Sequence, residues 1–529
     1  MVSRQWGWVE VHKFTTASPK IKFATTQRSP YEIALIWNFS MEQVQTSQMP
    51  ASGYTRTIVV VGAGPTGALV ALYLAQMGWK VFVYERRKAE PELFGPRRSY
   101  NVVLNDRGLK ALQQAGVELP PDKGVVLQGN VRHTAKGAKF SPGFANSVSI
   151  DRHTLAQYLI EEGKKHFPQQ IQYAFQHTLV RVDFEEKIAW FSIQSRTEAG
   201  AEAGEHQQKF DLLIGADGAF SQVREEMVQH IAGFEVEQNW DNMMFKICQL
   251  GSAANLANAP ENATENTQEN TTAVWANCFH TWPSAQPITL LAPPNVDGSL
   301  SGVLILPETG AITYDQLQTE EAIATLFAQK FPDIFPALEQ QGLPPGFAAD
   351  LLAQKVSYGG ITTICTRFDG DDRVVLLGDA AHSIWASLGQ GCNAALESCR
   401  IFAEVLAAAQ GDFAVALPTY TQARKPDTDG IAHLSEIGFG GNKRAGNYLF
   451  FAKILILMFL NKLFPKRFQK FALFQIANAE VPYSQIWQQV QIQNQQLRIV
   501  LMGLIVILAI ITITICNVLN WDSWKILKA

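Results

Sequence analysis

Thr57-Ile-Val-Val-Val61 runs directly into Gly62-Ala-Gly64-Pro65-Thr66-Gly67, then a helical run to Met77 and a second apolar strand, Lys80-Val-Phe-Val-Tyr84, ending at Glu85. In this strand, glycine turn, helix and strand unit, Gly62 permits the tight turn, Gly64 lets backbone approach a pyrophosphate, and Gly67 lets helix and strand pack closely. The helix N-terminus offers unpaired N–H groups to phosphate oxygens. Glu85 stands where a carboxylate binds the hydroxyls of an adenosine ribose. A lone glycine fingerprint is weak. Here the strands, helix and acid follow in order, so the unit reads as a dinucleotide site on a parallel α/β sheet.

Two further segments have strand-to-turn character. Asp211-Leu-Leu-Ile-Gly215-Ala-Asp217-Gly218 is an apolar strand leading through Ser221 and Arg224 into a helix. Arg373-Val-Val-Leu-Leu377-Gly378-Asp379 is a second buried strand, followed by His382 and Gly389-Gln390-Gly391-Cys392-Asn393. His382 reads as a packing or capping residue rather than a base. No second strand-glycine-helix unit occurs, since the glycines at 438, 440 and 441 follow no strand.

The chain has 529 residues, 47% hydrophobic and 17% charged, with a net charge of -4. That is too apolar for disorder and gives no global reason to expect nucleic acid as a partner. Six cysteines without a C-x-x-C pair indicate neither a disulfide scaffold nor a zinc cluster, so no metal is expected. Residues 255–272, rich in Asn, Glu and Thr, read as a solvated loop.

Residues 1–56 show no sustained periodicity and read as an N-terminal extension. It is either disordered or targeting, or an artefact of a start placed upstream of Met41. Ile499 to Leu519 is apolar apart from Thr512, Thr514 and Asn517, with Arg498 before it and Trp521, Trp524, Lys525 and Lys528 after it. At about 1.5 Å per residue it reaches roughly 31 Å, the thickness of a bilayer core. It is read as a single-pass C-terminal anchor. Lys462, Lys466, Arg467 and Lys470 precede it, which favours the large domain facing the cytoplasm. Tyr448 to Phe464 has a shorter apolar core, suited to the membrane interface or to the wall of an apolar active site.

Together, in this order, the three motifs resemble the single-component FAD-dependent aromatic hydroxylases, and within them the kynurenine 3-monooxygenase family. The latter likeness rests on Arg98-Ser-Tyr-Asn-Val-Val-Leu104 with Arg107-Gly108, on His280-Thr-Trp-Pro283, on Phe327-Ala-Gln-Lys-Phe-Pro332-Asp333, on Arg424-Lys-Pro426-Asp427, and on the apolar tail. It implies an α/β fold: a Rossmann-like FAD-binding domain over 57–440 with an interleaved mixed β-sheet substrate domain, roughly 120–150 and 235–350. A C-terminal helical region (441–497), a transmembrane helix (498–520) and a short tail (521–529) would follow.

The resemblance further implies non-covalent FAD held by Gly62, Gly64, Pro65, Thr66, Gly67, Glu85, Arg86, Val103, Arg152, Leu179, Asp217, Asp379, Gly389, Gly391, Cys392 and Asn393. Asp379 would accept hydrogen bonds from the ribityl chain, and Gly389 to Asn393 would set a helix N-terminus beside the pyrimidine edge of the isoalloxazine. NADPH or NADH would bind transiently, with Asp217 and Arg224 serving both nucleotides. The implied reaction puts one atom of dioxygen on a small aromatic substrate through a C4a-hydroperoxyflavin. Two other readings stay open: an oxidoreductase acting on a quinone or isoprenoid from the bilayer, and a flavin redox sensor without turnover.

At the substrate pocket the chain departs from the family. The arginine that pairs with the kynurenine carboxylate falls at Asn130, and a pocket tyrosine at Phe144. A further asparagine and tyrosine fall near Gly438 and Ala472. If Gly129 to His133 is a strand, Arg132 shares the face of Asn130 and could supply the guanidinium. The competing reading is a surface Arg132 and a pocket without its amino-acid clamp, in which kynurenine is a poor substrate.

Overall fold

The structure is a computed structural model describing residues 56–89, 99–134, 137–143, 147–193, 204–252, 275–283, 288–335, 343–438, 444–465, 467–468 and 471–526. Phe144 and nearly all of the N-terminal extension lie outside the described residues.

The β-branched run Thr57–Val61 forms strand β1, which pairs in parallel with β2 (Lys80–Glu85) on one side and with Leu212–Gly215 on the other. The sheet extends past β2 to Ile171–Phe175, and past Leu212–Gly215 to Val374–Leu376 and Asp369–Gly370. Both central strands are nearly all apolar because helices cover the two faces of such a sheet. All three motifs thus end at one edge of a single sheet: the glycine turn after β1, Asp217 after Leu212–Gly215, and Asp379 after Val374–Leu376. This is where open parallel sheets bind ligands. Helix α1 (Pro65–Gln76) starts at the glycine turn, α2 (Asp106–Gln114) follows β3 (Asn101–Leu104), and α3 (Arg152–His166) and α4 (Gln222–His230) follow in the chain.

A seven-stranded mixed sheet stands beside the first. Its central order runs Met243–Ser252, Ser299–Pro307, Thr289–Ala292, Cys278–Pro283 and β4 (Gly129–Thr134). One face packs Leu290, Leu304 and Leu306 against Phe327 and Phe331. Residues 120–150 do not all enter this sheet, a correction to the expected span. Val148–Asp151 pairs instead with β3 on one side and Val125–Val126 on the other, in a small sheet that brings Val103 opposite Ser149.

Helices α5 (Gly391–Ala408), α6 (Phe413–Ile437) and α7 (Arg444–Leu463) lead to α8 (Tyr483–Ile526). Helix α8 runs unbroken through the expected 497/498 boundary, because no proline or glycine interrupts residues 484–502. Its first turns bury Tyr483, Ile486 and Val490 against Ile431 and Leu434, whereas Leu501 to Ile515 are exposed. The helix is long and apolar enough to cross a bilayer.

Candidate active site

Gly62 takes φ +101°, and its N–H donates to the Tyr84 carbonyl at 2.8 Å. A Cβ there would lie 2.4 Å from the Ala216 carbonyl oxygen, and one on Gly67 would lie 1.9 Å from that of Gly62. Only glycine lets the two strands and α1 close to this distance. In front of Gly64 there is open space. Pro65 opens α1, and among the described residues the N–H groups of Thr66 and Gly67 have no acceptor. Backbone donors facing a clear space suit a pyrophosphate.

Glu85 is buried at the end of β2. Its carboxylate accepts from the Ala63 N–H at 2.9 Å and from Arg87 Nε at 2.8 Å. Burial works to raise its pKa, but these hydrogen bonds and the Arg87 charge outweigh it and hold the group below the usual carboxylate range. Arg87 makes this contact, while Arg86 is exposed. Leu179 is buried opposite Phe191, which stacks on Tyr84 at 4.0 Å.

Asp379, at the third motif, has no hydrogen-bond partner among the described residues. Burial pushes its carboxyl upward, opposed by the positive charge of Arg152. The Arg152 guanidinium lies 5.0 Å over the Tyr100 ring, and Cys392 completes the cluster, its thiol pushed up to about 12 by burial and the Asp379 charge. An unpartnered carboxylate in a poorly solvated cleft beside uncapped N–H groups fits the ribityl hydroxyls of FAD. The amides of Gly391, Cys392 and Asn393, at the start of α5, also lack acceptors among the described residues, while Gly389 takes φ +62° just before them. A helix N-terminus so exposed favours negative charge on a ring beside it.

The Asn393 side chain works inward. Its Oδ1 accepts from the Asn105 N–H, and its Nδ2 donates to the Val103 carbonyl, both at 2.9 Å. The pair ties β3 to the start of α5. The side chains of Asp217 and Arg224 also bond within the protein. Asp217 accepts from Ser221 Oγ at 2.6 Å and Gln222 N at 2.7 Å, holding the start of α4. Buried Arg224 donates to the Ala380 and Ala219 carbonyls at 2.9 and 2.8 Å. His382 bonds to Ser398 Oγ at 2.8 Å, and burial lowers its pKa to about 3, so it packs as a neutral ring.

On the second sheet, register aligns Asn130 with Phe279, Thr281 with Leu291, and Leu291 with Val303 on a common face. All five are only partly buried. Phe245, on the same face, meets Tyr100 edge-on at 6.0 Å, so this apolar surface looks toward the Asp379 cluster. The Asn130 Oδ1 is buried without a partner among the described residues. Arg132 does share the face of Asn130, but it is exposed, with Lys139 opposite it. Gly438 ends α6, and Ala472 is buried in a short 3-10 turn, Ala472–Gln475.

Sequence reasoning missed how the quoted stretches meet. Arg107 bonds Glu397 at 2.9 Å, and Arg424 Nη1 lies 2.8 Å from the other Glu397 oxygen, an ion pair without hydrogen-bond geometry. His280, Trp282 and Asp333 converge on His133 behind the second sheet. The residues were visible, but Glu397 stands 290 positions from Arg107. No group of three potential metal ligands occurs among the described residues.

Comparison with known proteins bears directly on this cleft. Residues 55–274 match the FAD binding domain family. The chain is 31% identical to kynurenine 3-monooxygenase of Salinispora arenicola over 449 residues, covering 83% of this chain and 92% of the relative. It belongs to the kynurenine 3-monooxygenase family. The enzyme of that name from Caenorhabditis elegans is 28% identical over 454 residues, covering 81% and 91%. Among solved structures, a probable FAD-dependent monooxygenase from Pseudomonas aeruginosa matches at a TM-score of 0.53 and 18% identity, covering 75% of this chain and all 100% of that one. A 2-methyl-3-hydroxypyridine-5-carboxylic acid oxygenase matches at 0.51 and 20%, covering 75% and 93%. These two likenesses concern the fold. As a member of the kynurenine 3-monooxygenase family the chain is an FAD-dependent monooxygenase that draws on NAD(P)H.

Proposed function

We propose that this monooxygenase hydroxylates a small aromatic compound that offers a hydrogen-bond donor, rather than a carboxylate, to the second sheet. The observation that carries this is the buried Oδ1 of Asn130, without a partner among the described residues, on the face that also carries Phe279, Leu291 and Val303, with Arg132 exposed. A buried acceptor left unpaired costs about 1–3 kcal/mol, which an N–H or O–H of the substrate recovers. Without a bidentate guanidinium a carboxylate would enter that face uncompensated.

Bound FAD, once reduced by NAD(P)H, supplies the activation of dioxygen. The chain's own residues do the rest. Thr66 and Gly67 hold the pyrophosphate through backbone N–H groups, Glu85 the adenosine ribose, and Asp379 the ribityl chain. Arg152 balances Asp379, and the α5 N-terminus stabilises negative charge on the reduced ring. Val103 and Asn393 fix the approach of β3 to that terminus. Phe279, Leu291, Val303 and Phe245 exclude water and orient the aromatic ring.

The exposed end of α8 sits in the membrane and the catalytic part faces the cytoplasm. The outward face of α7, with Leu455, Met458 and Phe459 exposed, lies against the bilayer surface beside it. Product analysis after incubating the purified protein with FAD, NADPH, dioxygen and a panel of aromatic amines, phenols and kynurenine tests the reading. Hydroxylation of neutral donors with little turnover of kynurenine is expected. Efficient 3-hydroxylation of kynurenine, abolished by Arg132→Ala, would overturn it.

A further inference from the structure

We propose that Tyr483, the first residue of the anchor helix α8, is a positioning residue of the flavin site. This rests on the reading that Gly389 to Asn393 faces the isoalloxazine. Tyr483 is fully buried, and its hydroxyl donates to Gln390 Oε1 at 3.0 Å, an oxygen that also accepts from Asn105 Nδ2 at 2.9 Å. Gln390 immediately precedes α5, and its Nε2 donates to the Leu388 carbonyl at 3.2 Å. The same Asn105 donates its backbone N–H to Asn393 Oδ1. One polar chain therefore runs from α8 through Gln390 and Asn105 to both ends of the short segment whose free N–H groups face the cleft.

The start of α8 is itself held hard. Arg107 lies 3.8 Å over the Tyr483 ring, donates to the Ile476 and Val481 carbonyls, and is ion-paired with Glu397 on α5. Asp427 on α6 accepts from Ser484 N at 3.0 Å and Ser484 Oγ at 2.6 Å. Buried polar contacts drawn from several elements at once restrict the geometry of that turn. Because α8 then runs without a break, about 24 Å of helix separates Tyr483 from Ile499, where the exposed apolar run begins. The anchor thus contributes through its first turn to the placing of the α5 N-terminus, and the membrane-facing part does not.

The test uses the full-length protein in lipid nanodiscs, reading the FAD dissociation constant by flavin fluorescence and the position of the flavin visible absorption band. Tyr483→Phe keeps the ring over Arg107 and removes only the hydroxyl. It should weaken FAD about 5-fold, the worth of one hydrogen bond, and shift the band. Gln390→Leu should do the same, and the double variant should be no worse than either single one. Ser484→Ala, which loosens the same turn but leaves the Tyr483 to Gln390 bond in place, should change both readouts clearly less than Tyr483→Phe does. The proposal is overturned if Tyr483→Phe matches the parent, if Ser484→Ala produces an equal effect, or if the two substitutions at 483 and 390 simply add. A parent protein that binds no FAD would instead sink the assignment of the flavin site itself.

Discussion

His133 Nδ1 lies 2.6 Å from Asp333 Oδ2 although the two residues are 200 positions apart in the chain. The contact organises the back of the second sheet. His280 Nε2 faces the Trp275 carbonyl at 3.0 Å, which can only accept, so that nitrogen carries the proton. Burial lowers the His280 pKa to about 4, leaving its Nδ1 bare to accept from His133 Nε2 at 2.9 Å. Asp333 meanwhile accepts from Trp282 Nε1 at 3.0 Å, and His133 stacks on Trp282 at 4.1 Å. The network locks β4, which carries Asn130, to the strand Cys278–Pro283.

Asp333→Ala removes the acceptor of both His133 and Trp282. Stability should fall by about 3 kcal/mol, the usual result of stripping one partner from a buried pair. A urea or thermal unfolding series, compared with the parent at pH 7.5, checks it. A loss under about 0.5 kcal/mol would mean that the network contributes nothing beyond packing.

Acid should destabilise the protein through His280 and His382. Their folded pKa values, about 4 and about 3, lie below the ordinary 6.5, so the unfolded chain binds more protons between those values and 6.5. Stability therefore rises with pH across that window and is lost as pH falls through it, at up to about 1.4 kcal/mol per pH unit for each group. His280→Gln should flatten the slope of unfolding free energy between pH 6.5 and 4. An unaltered slope would rule His280 out as a contributor.

Asp379→Ala should lower FAD retention on purification at least 10-fold, since the ribityl hydroxyls lose a charged acceptor worth about 1.5–3 kcal/mol. The absorbance ratio of flavin to protein after gel filtration reads it. Retention equal to the parent would show that the third motif does not hold the cofactor.

Truncation separates the two halves of α8. A chain ending at Arg498 should leave the membrane fraction and keep FAD, because the exposed segment supplies most of the anchoring area. A chain ending at Val481 should lose FAD as well, since Tyr483, Ile486 and Val490 leave the core. Persistent membrane binding of the longer truncation would assign a second contact to the outward face of α7.

Some of this protein is written in short stretches of its sequence. The order strand, glycine turn, helix, strand and Glu85 is legible because the contacts that shape the turn within this unit are local: Gly62 to Tyr84, Gly67 to Gly62, Ala63 to Glu85. The apolar length after Arg498 is legible for the same reason, as helix rise is a property of the chain alone. Tertiary structure decided what depends on partners far apart. Asp217 and Arg224 stand out in the sequence by their motif, but only the fold shows that Asp217 holds the start of α4 and that Arg224 reaches the Ala380 carbonyl. Strand alternation put Asn130 and Arg132 on one face, yet only the packing of the sheet left one amide oxygen buried and the other side chain in water. Gln390 meets Tyr483 across 93 residues, and no periodicity records such a pairing, because a buried hydrogen bond is specified by the meeting of two elements and not by either one.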